Sequence, residues 1–443
     1  MIERTGPMKT TASAFNTKDA KDTKERRRKL DPQAPADPSD GQIARNWRCN
    51  AGTLARFLVS FASFVPSALV LLGPPAHAQT AEKLRIGLML PYTGTYAALG
   101  TAITNGFKLH VDTNGGKLGG RAVEFFTVDD ESDPAKATEN VNKLVKRDRV
   151  DVLVGTVHSG VALAMAKVAR ETNTLMIVPN AGADELTGPL CAPNIFRTSF
   201  SNWQSSFAMG REVAARKHKT VVTLTWKYAA GQQSVEGFKE AFEKEGGKVV
   251  KELTLPFPNV EFQPFLTEIA ALKPDAVFVF FAGAGAVKFV KDYAAAGLRN
   301  TIPLYASGFL TDGTLEAMGD AGQGLVTTLH YADGILNAQN QAFRLRYAKA
   351  YKAQPDVYAV QGFDAAQLLD TGLAATGGDM AKRAELVKAM ETARIESPRG
   401  TFTLSRAHNP IQDIYLRKAQ GKENKLQSVS IKALADPARG CKM

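Results

Sequence analysis

The sequence predicts an α/β chain built as two doubly wound, parallel-sheet lobes. Short apolar runs alternate with amphipathic stretches from Leu84 to Met318. The runs are apolar at nearly every position, as in strands covered on both faces, and not at every second position. The strand–helix series also occurs twice, back to back, which makes two sheets. A chain of 443 residues, 44% apolar and 22% charged, is long enough for two or three domains with full cores.

Taken in order, the first series has strands at Leu84–Leu90, Val123–Asp129, Val152–Val154, Leu175–Val178 and Ile195–Thr198. Its helices fall at Tyr96–Asn114, Pro134–Arg147, Val161–Glu171 and Asn202–Arg216. The second has strands at Thr220–Thr225, Val249–Leu255, Ala276–Phe281 and Leu304–Ser307. Its helices fall at Gln232–Glu245, Phe262–Leu272, Ala286–Ala296 and Thr311–Met318. A run at Leu325–His330 precedes helices at Gln339–Ala353, Val357–Thr376 and Lys382–Thr392. A strand pair, Asp413–Ala419 and Leu426–Lys432, turns at Gly421. Residues 84–200 with 332–402 are assigned to the first lobe, and 201–331 with 403–435 to the second. The crossovers are placed near Thr198–Asn202, Leu329–Ala332 and Thr401–Ser405.

The opening segment reads as a leader. Arg45, Arg48 and Arg56 precede the uncharged run Phe57–Leu72, followed by Gly-Pro-Pro and Ala76-His77-Ala78. That order is a secretory signal peptide over 56–78, cleaved before Gln79, which places the mature chain in the periplasm. A membrane anchor is the competing reading, but 16 residues broken by Pro66 are short for a span of about 20. Residues 1–55 are read as disordered or as a non-native extension. Cys49 leaves with the leader, so Cys191 and Cys441 remain in an oxidising compartment and one disulfide is expected. Two separate free thiols are the alternative.

The net charge of +11 shrinks once it is located. Residues 1–78 hold 12 Lys and Arg against 7 Asp and Glu, leaving 43 against 37 in the other 365. A mild, scattered excess makes no nucleic-acid face. The histidines have no metal-site spacing, and neither a nucleophile elbow nor a phosphate loop is present. No catalytic residue, metal or cofactor is therefore assigned. Gly283-Ala284-Gly285 has Lys288 where a dinucleotide fingerprint needs a third glycine. It reads better as a turn that lets a ligand approach the backbone.

Strand-end turns are where open α/β sheets bind small polar ligands. Those turns are Pro91–Gly94, Gly155–Gly160, Pro179–Ala183, Trp226–Gly231 and Ser307–Leu310. Ser159, at a helix start, suits a carboxylate; an ordinary helix cap is the alternative.

The segments LMLPYTGTYAALG, GGKLGGRAVEFFTVDDESDP, VLVGTVHSG, IVPNAGADELT and FRTSFSN resemble the substrate-binding proteins of branched-chain amino acid type ABC transporters, of the type I periplasmic binding protein class. The resemblance runs from about Leu84 to Lys432. It implies two lobes joined by a three-strand hinge and closing over a ligand, with permease subunits as partners. It puts Ser159, beside His158, at the ligand carboxylate, and Asn180, Ala181 and Gly182 on a second ligand loop. Tyr228 becomes an aromatic wall. The resemblance departs where an acidic residue should hold an ammonium: the loop reads Ser307-Gly308-Phe309-Leu310. A hydroxyl-bearing residue expected at 182 is Gly182. With Tyr92, Phe281 and Phe309 adding apolar surface, an aromatic or hydrophobic carboxylate is expected over leucine. The expected protein is a monomer with no enzymatic activity. Branched-chain amino acid or amide binding is the first alternative, and an exported α/β enzyme using the Gly283 turn with Asp129 and Asp130 the second. A receptor's sensory domain is disfavoured by the lack of a membrane helix before Met443.

Overall fold

A computed structural model describes residues 82–443. The leader assignments (1–55, 56–78, cleavage before Gln79) and Cys49 lie outside the described residues.

The first sheet forms from β1 (Leu84–Leu90), β2 (Lys117–Leu118), β3 (Arg121–Asp129), β4 (Val152–Val154), β5 (Leu175–Val178) and β6 (Ile195–Arg197), in the order β2-β3-β1-β4-β5-β6. β1 runs parallel to β3, Leu84 opposite Val123, and to β4, Ile86 opposite Val152. Helices α1 (Ala97–Thr113), α2 (Pro134–Asn142) and α3 (Ser159–Thr172) cover its faces. β1 shows no alternation of apolar with polar residues because both of its faces are packed: Ile86 and Leu88 join one core, Met89 the other. The chain then enters α4 (Asn202–Ala215), which packs on the second sheet.

That sheet holds β7 (Thr220–Trp226), β8 (Lys248–Leu255), β9 (Ala276–Phe280), β10 (Leu304–Ser307), β11 (Val326–Leu329), β12 (Thr403–Leu404) and β13 (Pro410–Gln420). Their order is β12-β13-β11-β10-β9-β7-β8, and β14 (Glu423–Leu434) pairs with β13. Its helices are α5 (Ala229–Lys244), α6 (Gln263–Leu272), α7 (Gly283–Ala295) and the short α8 (Leu315–Met318). Between β11 and β12 the chain returns to the first lobe as α9 (Ala338–Tyr351), α10 (Val357–Thr376) and α11 (Arg383–Glu391), with α10 laid along α1. The architecture is two α/β lobes with three passages between them. Among the described residues no helix is long and apolar enough to cross a membrane.

The differences from the sequence reading are local. β2 is a two-residue strand folded back on β3, and the paired glycines around it take left-handed backbone (φ +67° to +84°, with Gly119 at +53°), which accounts for the GG-x-x-GG spacing. The helix expected over Thr311–Met318 shrinks to α8, because Gly313 sits at φ +67° and interrupts it. α5 and α7 begin three residues earlier than their apolar periodicity announces, since small Ala and Gly residues form their first turns. Cys191 and Cys441 are bonded, their Cα atoms 5.6 Å apart.

Candidate ligand-binding site

A small, nearly filled cavity of about 20 Å³ lies where the carboxyl ends of both sheets face each other. Its wall is made largely by helix caps and first turns: Tyr96 capping α1 and Leu99 within it, Ser159 of α3, Asn202 of α4, Tyr228 capping α5 and Ala230 within it, Ala282 capping α7 and Tyr358 of α10. First-turn N–H groups have no partners within their own helix and carry the positive end of the helix dipole, so converging first turns favour a bound anion. None of the residues lining the cavity is charged.

Ser159 occupies the first position of α3, and the cap is His158, whose Nδ1 accepts the Gly160 N–H at 3.1 Å. Burial lowers the His158 pKa to about 4, so the ring stays neutral and can accept. The Ser159 hydroxyl is thus not engaged in capping. It accepts from Asn202 Nδ2 at 3.3 Å, which leaves its own proton to donate. Asn180 donates through Nδ2 to Gln361 at 2.7 Å, and Gln361 contacts Nε2 of His330 at 3.1 Å. Burial, with Arg399 and Arg417 nearby, pushes the His330 pKa well below its ordinary value.

Three tyrosines bring hydroxyls from different elements. Tyr96 and Tyr228 share a hydrogen bond of 2.9 Å across the lobes. The buried Tyr358 hydroxyl has no partner among the described residues. Burial raises all three phenol pKa values, which keeps them neutral donors. Phe309 packs on Phe200 with ring centroids 4.5 Å apart and on Phe280 at 6.2 Å, closing an aromatic box.

Of the residues singled out from sequence, Ser159, Asn180, Gly182, Tyr228 and Phe309 line this cavity. Gly182 is there because a Cβ would sit 2.3 Å from Asn202 Oδ1 and 2.5 Å from the Phe200 ring; those side chains fill the space a larger residue would take. The other five stand outside the lining. Tyr92 turns its hydroxyl to Thr104 at 2.8 Å, and its N–H to Asp129 at 2.9 Å. His158 lies one layer back, stacked on Tyr228 at 4.4 Å. Ala181 is tied by its N–H to the Thr156 carbonyl at 2.9 Å. Phe281 follows Phe280 on the opposite side of the pleat, in a core with Trp226, Phe262 and Phe289. Gly283 meets the Thr95 carbonyl of the other lobe. Tyr96, Phe200, Asn202, Phe280 and Tyr358 were not singled out. For the first four the signal was position, at helix starts or at and just after strand ends, more than residue type; Tyr358 arrives through the packing of α10 on α1.

Among the described residues, no acid lines the cavity to meet the ammonium of an amino acid. The nearest candidate after β10, Asp312, is buried and paired with Arg417 at 2.7 Å.

Solved proteins share this architecture. A solute-binding protein of an ABC transporter from R. palustris, solved in complex with benzoate, is 56% identical with a TM-score of 0.80, covering 82% of this chain and all of that one. A second, from Rhodopseudomonas palustris BisB5 in complex with 3,4-dihydroxybenzoic acid, is 34% identical with a TM-score of 0.76, covering 80% of this chain and 99% of that one. The Leu/Ile/Val-binding protein homolog 6 of Brucella melitensis is 30% identical over 361 residues, 80% of this chain and 91% of that protein. With the family profile described as periplasmic binding protein matching residues 83–424, the chain belongs to the periplasmic binding protein family.

Proposed function

We propose that this protein is the periplasmic solute-binding component of an ABC importer and that its ligand is a small aromatic carboxylate of the benzoate type. The observation that carries the reading is a mismatch between the two ends of an amino acid. A carboxylate has helix first turns and the Ser159 hydroxyl to meet, whereas among the described residues no acid lines the cavity for an ammonium. An ammonium buried without a partner costs several kcal/mol. The aromatic box of Phe200, Phe280 and Phe309 suits a flat ring, and the solved relatives hold benzoate and 3,4-dihydroxybenzoic acid.

In this reading Ser159, Asn180, Tyr228 and Phe309, with Tyr96, Asn202, Phe280 and Tyr358, contact the ligand, and Gly182 makes room for its neighbours. His158, Ala181, Tyr92, Phe281 and Gly283 support them. The leader exports the chain, which acts as a monomer, hands its ligand to permease subunits, and catalyses no reaction.

Isothermal titration of residues 79–443 with benzoate and with leucine tests the ligand. Benzoate should bind at least about a hundredfold more tightly, the equivalent of roughly 3 kcal/mol. Leucine binding more tightly would overturn the aromatic reading in favour of a branched-chain amino acid.

A further inference from the structure

Gln233 stands in α5 of the second lobe, and its side chain is buried. Its Oε1 accepts two hydrogen bonds, from the backbone N–H of Asp184 at 3.0 Å and from Asn202 Nδ2 at 2.8 Å. Its Nε2 donates to Glu185 Oε2 at 2.7 Å. Asp184 and Glu185 belong to the segment between β5 and β6, in the first lobe. One α5 side chain therefore holds two first-lobe residues and Asn202, the residue that reaches Ser159.

The direction of these bonds matters. Asn202 Nδ2 has two hydrogens; one goes to Gln233 and one to Ser159. Gln233 thus fixes which end of the Asn202 amide faces Ser159, and the Ser159 oxygen is made an acceptor. Its hydroxyl proton is then free for a carboxylate in the cavity. The N–H of Asn202 is held as well, by the Gly182 carbonyl at 2.7 Å. Reversing the amide would turn a carbonyl toward Ser159 and draw the serine proton away from the ligand.

We propose that Gln233 is the closure latch of the binding site: a positioning residue that joins the lobes only when they are shut and orients Ser159, through Asn202, to donate to the ligand. The assignment rests on the proposed ligand-binding reading of the cavity. Opening the lobes breaks the bonds to Asp184 and Glu185, so Gln233 stabilises the closed, loaded form and contributes little to the open one. Its bond to Glu185 also has a fixed polarity, amide to carboxylate, that can be exchanged between partners.

The test uses residues 79–443 and both benzoate and leucine, so that it proceeds with whichever ligand the wild type binds. Gln233→Leu should weaken binding tenfold or more, mainly through faster release. Its ligand-free melting temperature should stay at the wild-type value. Gln233→Glu sets two carboxylates against each other and should weaken binding at least as much. Adding Glu185→Gln to it restores one donor and one acceptor with the roles reversed, and should recover about tenfold over Gln233→Glu alone. Gln233→Leu binding within twofold of wild type overturns the latch. So does a ligand-free melting temperature that falls as far as the loaded one, because Gln233 would then serve only the packing of α5. A double variant no better than Gln233→Glu removes the exchangeable Glu185 bond and overturns it too. A preference for leucine would refute the aromatic ligand and leave the latch test intact.

Discussion

At the scale of single residues, two neighbouring carboxylates are driven in opposite directions. Asp129 is pushed up by burial, but the N–H groups of Tyr92 and Glu131 and the hydroxyl of Thr93 outweigh that, and its pKa falls below the usual value. Asp130 is fully buried, and its pKa rises to about 6. It accepts from the Ser132 N–H at 2.7 Å and from the Thr156 hydroxyl, yet pairs with no cation among the described residues. The two aspartates pin Glu131 and Ser132 in left-handed backbone (φ 49° and 56°), conformations that disfavour side chains. The hydrogen bonds of Asp129 and Asp130 thus hold the shape of this loop. Because the folded pKa of Asp130 lies above its unfolded value, the folded protein holds the extra proton between about pH 4 and 6. Its contribution is therefore most favourable in acid and is lost as pH rises to about 6. Asp130→Asn removes that slope. Measured by urea unfolding, the stability of the variant relative to wild type should improve by on the order of 2–3 kcal/mol between pH 4 and pH 8. A difference that does not change with pH would refute the assignment.

At the scale of elements, the start of α7 shows both what the sequence discloses and where it stops. The apolar run Ala276–Phe281 marks a buried strand, and the small residues after it mark a turn. Which of Phe280 and Phe281 faces the cavity depends on the pleat of β9, and an unbroken apolar run carries no alternation to reveal it. Tyr358 illustrates a second limit. It reaches the cavity from α10 because α10 lies along α1, a packing of distant segments that leaves no local trace. Strand and helix positions, by contrast, follow from local periodicity, and β1, β4, β5, β10 and α10 have the expected boundaries. Of the cavity-lining residues, Ser159 was legible from its place at a helix start, and Asn180 and Tyr228 from the family resemblance. Gly283 is the residue where α7 meets the opposite lobe: its φ is +58°, and a Cβ would stand 2.3 Å from the Thr95 carbonyl. Gly283→Ala should destabilise the fold by about 1–2 kcal/mol through left-handed strain, and should weaken ligand binding separately by obstructing closure. The ligand-free protein, with Thr95 withdrawn, should bear only the strain. Titration and thermal melting distinguish these, and a lowered melting temperature with unchanged affinity would remove closure from the account.

At the scale of the whole molecule, the lobes are joined by more than three passages. Arg399, in the third, pairs with Asp364 of α10 at 3.1 Å and donates to the carbonyls of Thr198 and Ser199 in the first. It also reaches Gln412 of β13 at 2.6 Å, which makes it a pin through the hinge. The chain beyond β14 then leaves the second lobe and returns to the first. Asp436 accepts from Thr187 at 2.6 Å and lies 3.6 Å from the buried Arg197, and Cys441 closes on Cys191 across 250 residues of sequence. Only the residues after Leu434 span from β14 to that bond, so the tail acts as a short tether beside the cleft. A tether of this kind has two measurable effects. It lowers the entropy of the unfolded chain, and Cys191→Ser with Cys441→Ser should cost about 2–4 kcal/mol of stability. It also limits how far the lobes swing apart. Small-angle scattering should show a smaller radius of gyration for the loaded protein than for the empty one, since ligand favours the form in which it touches both sheets. The double serine variant should match wild type when loaded and be larger than wild type when empty. If the empty forms of the two proteins scatter identically, the disulfide stabilises the fold without restraining the hinge.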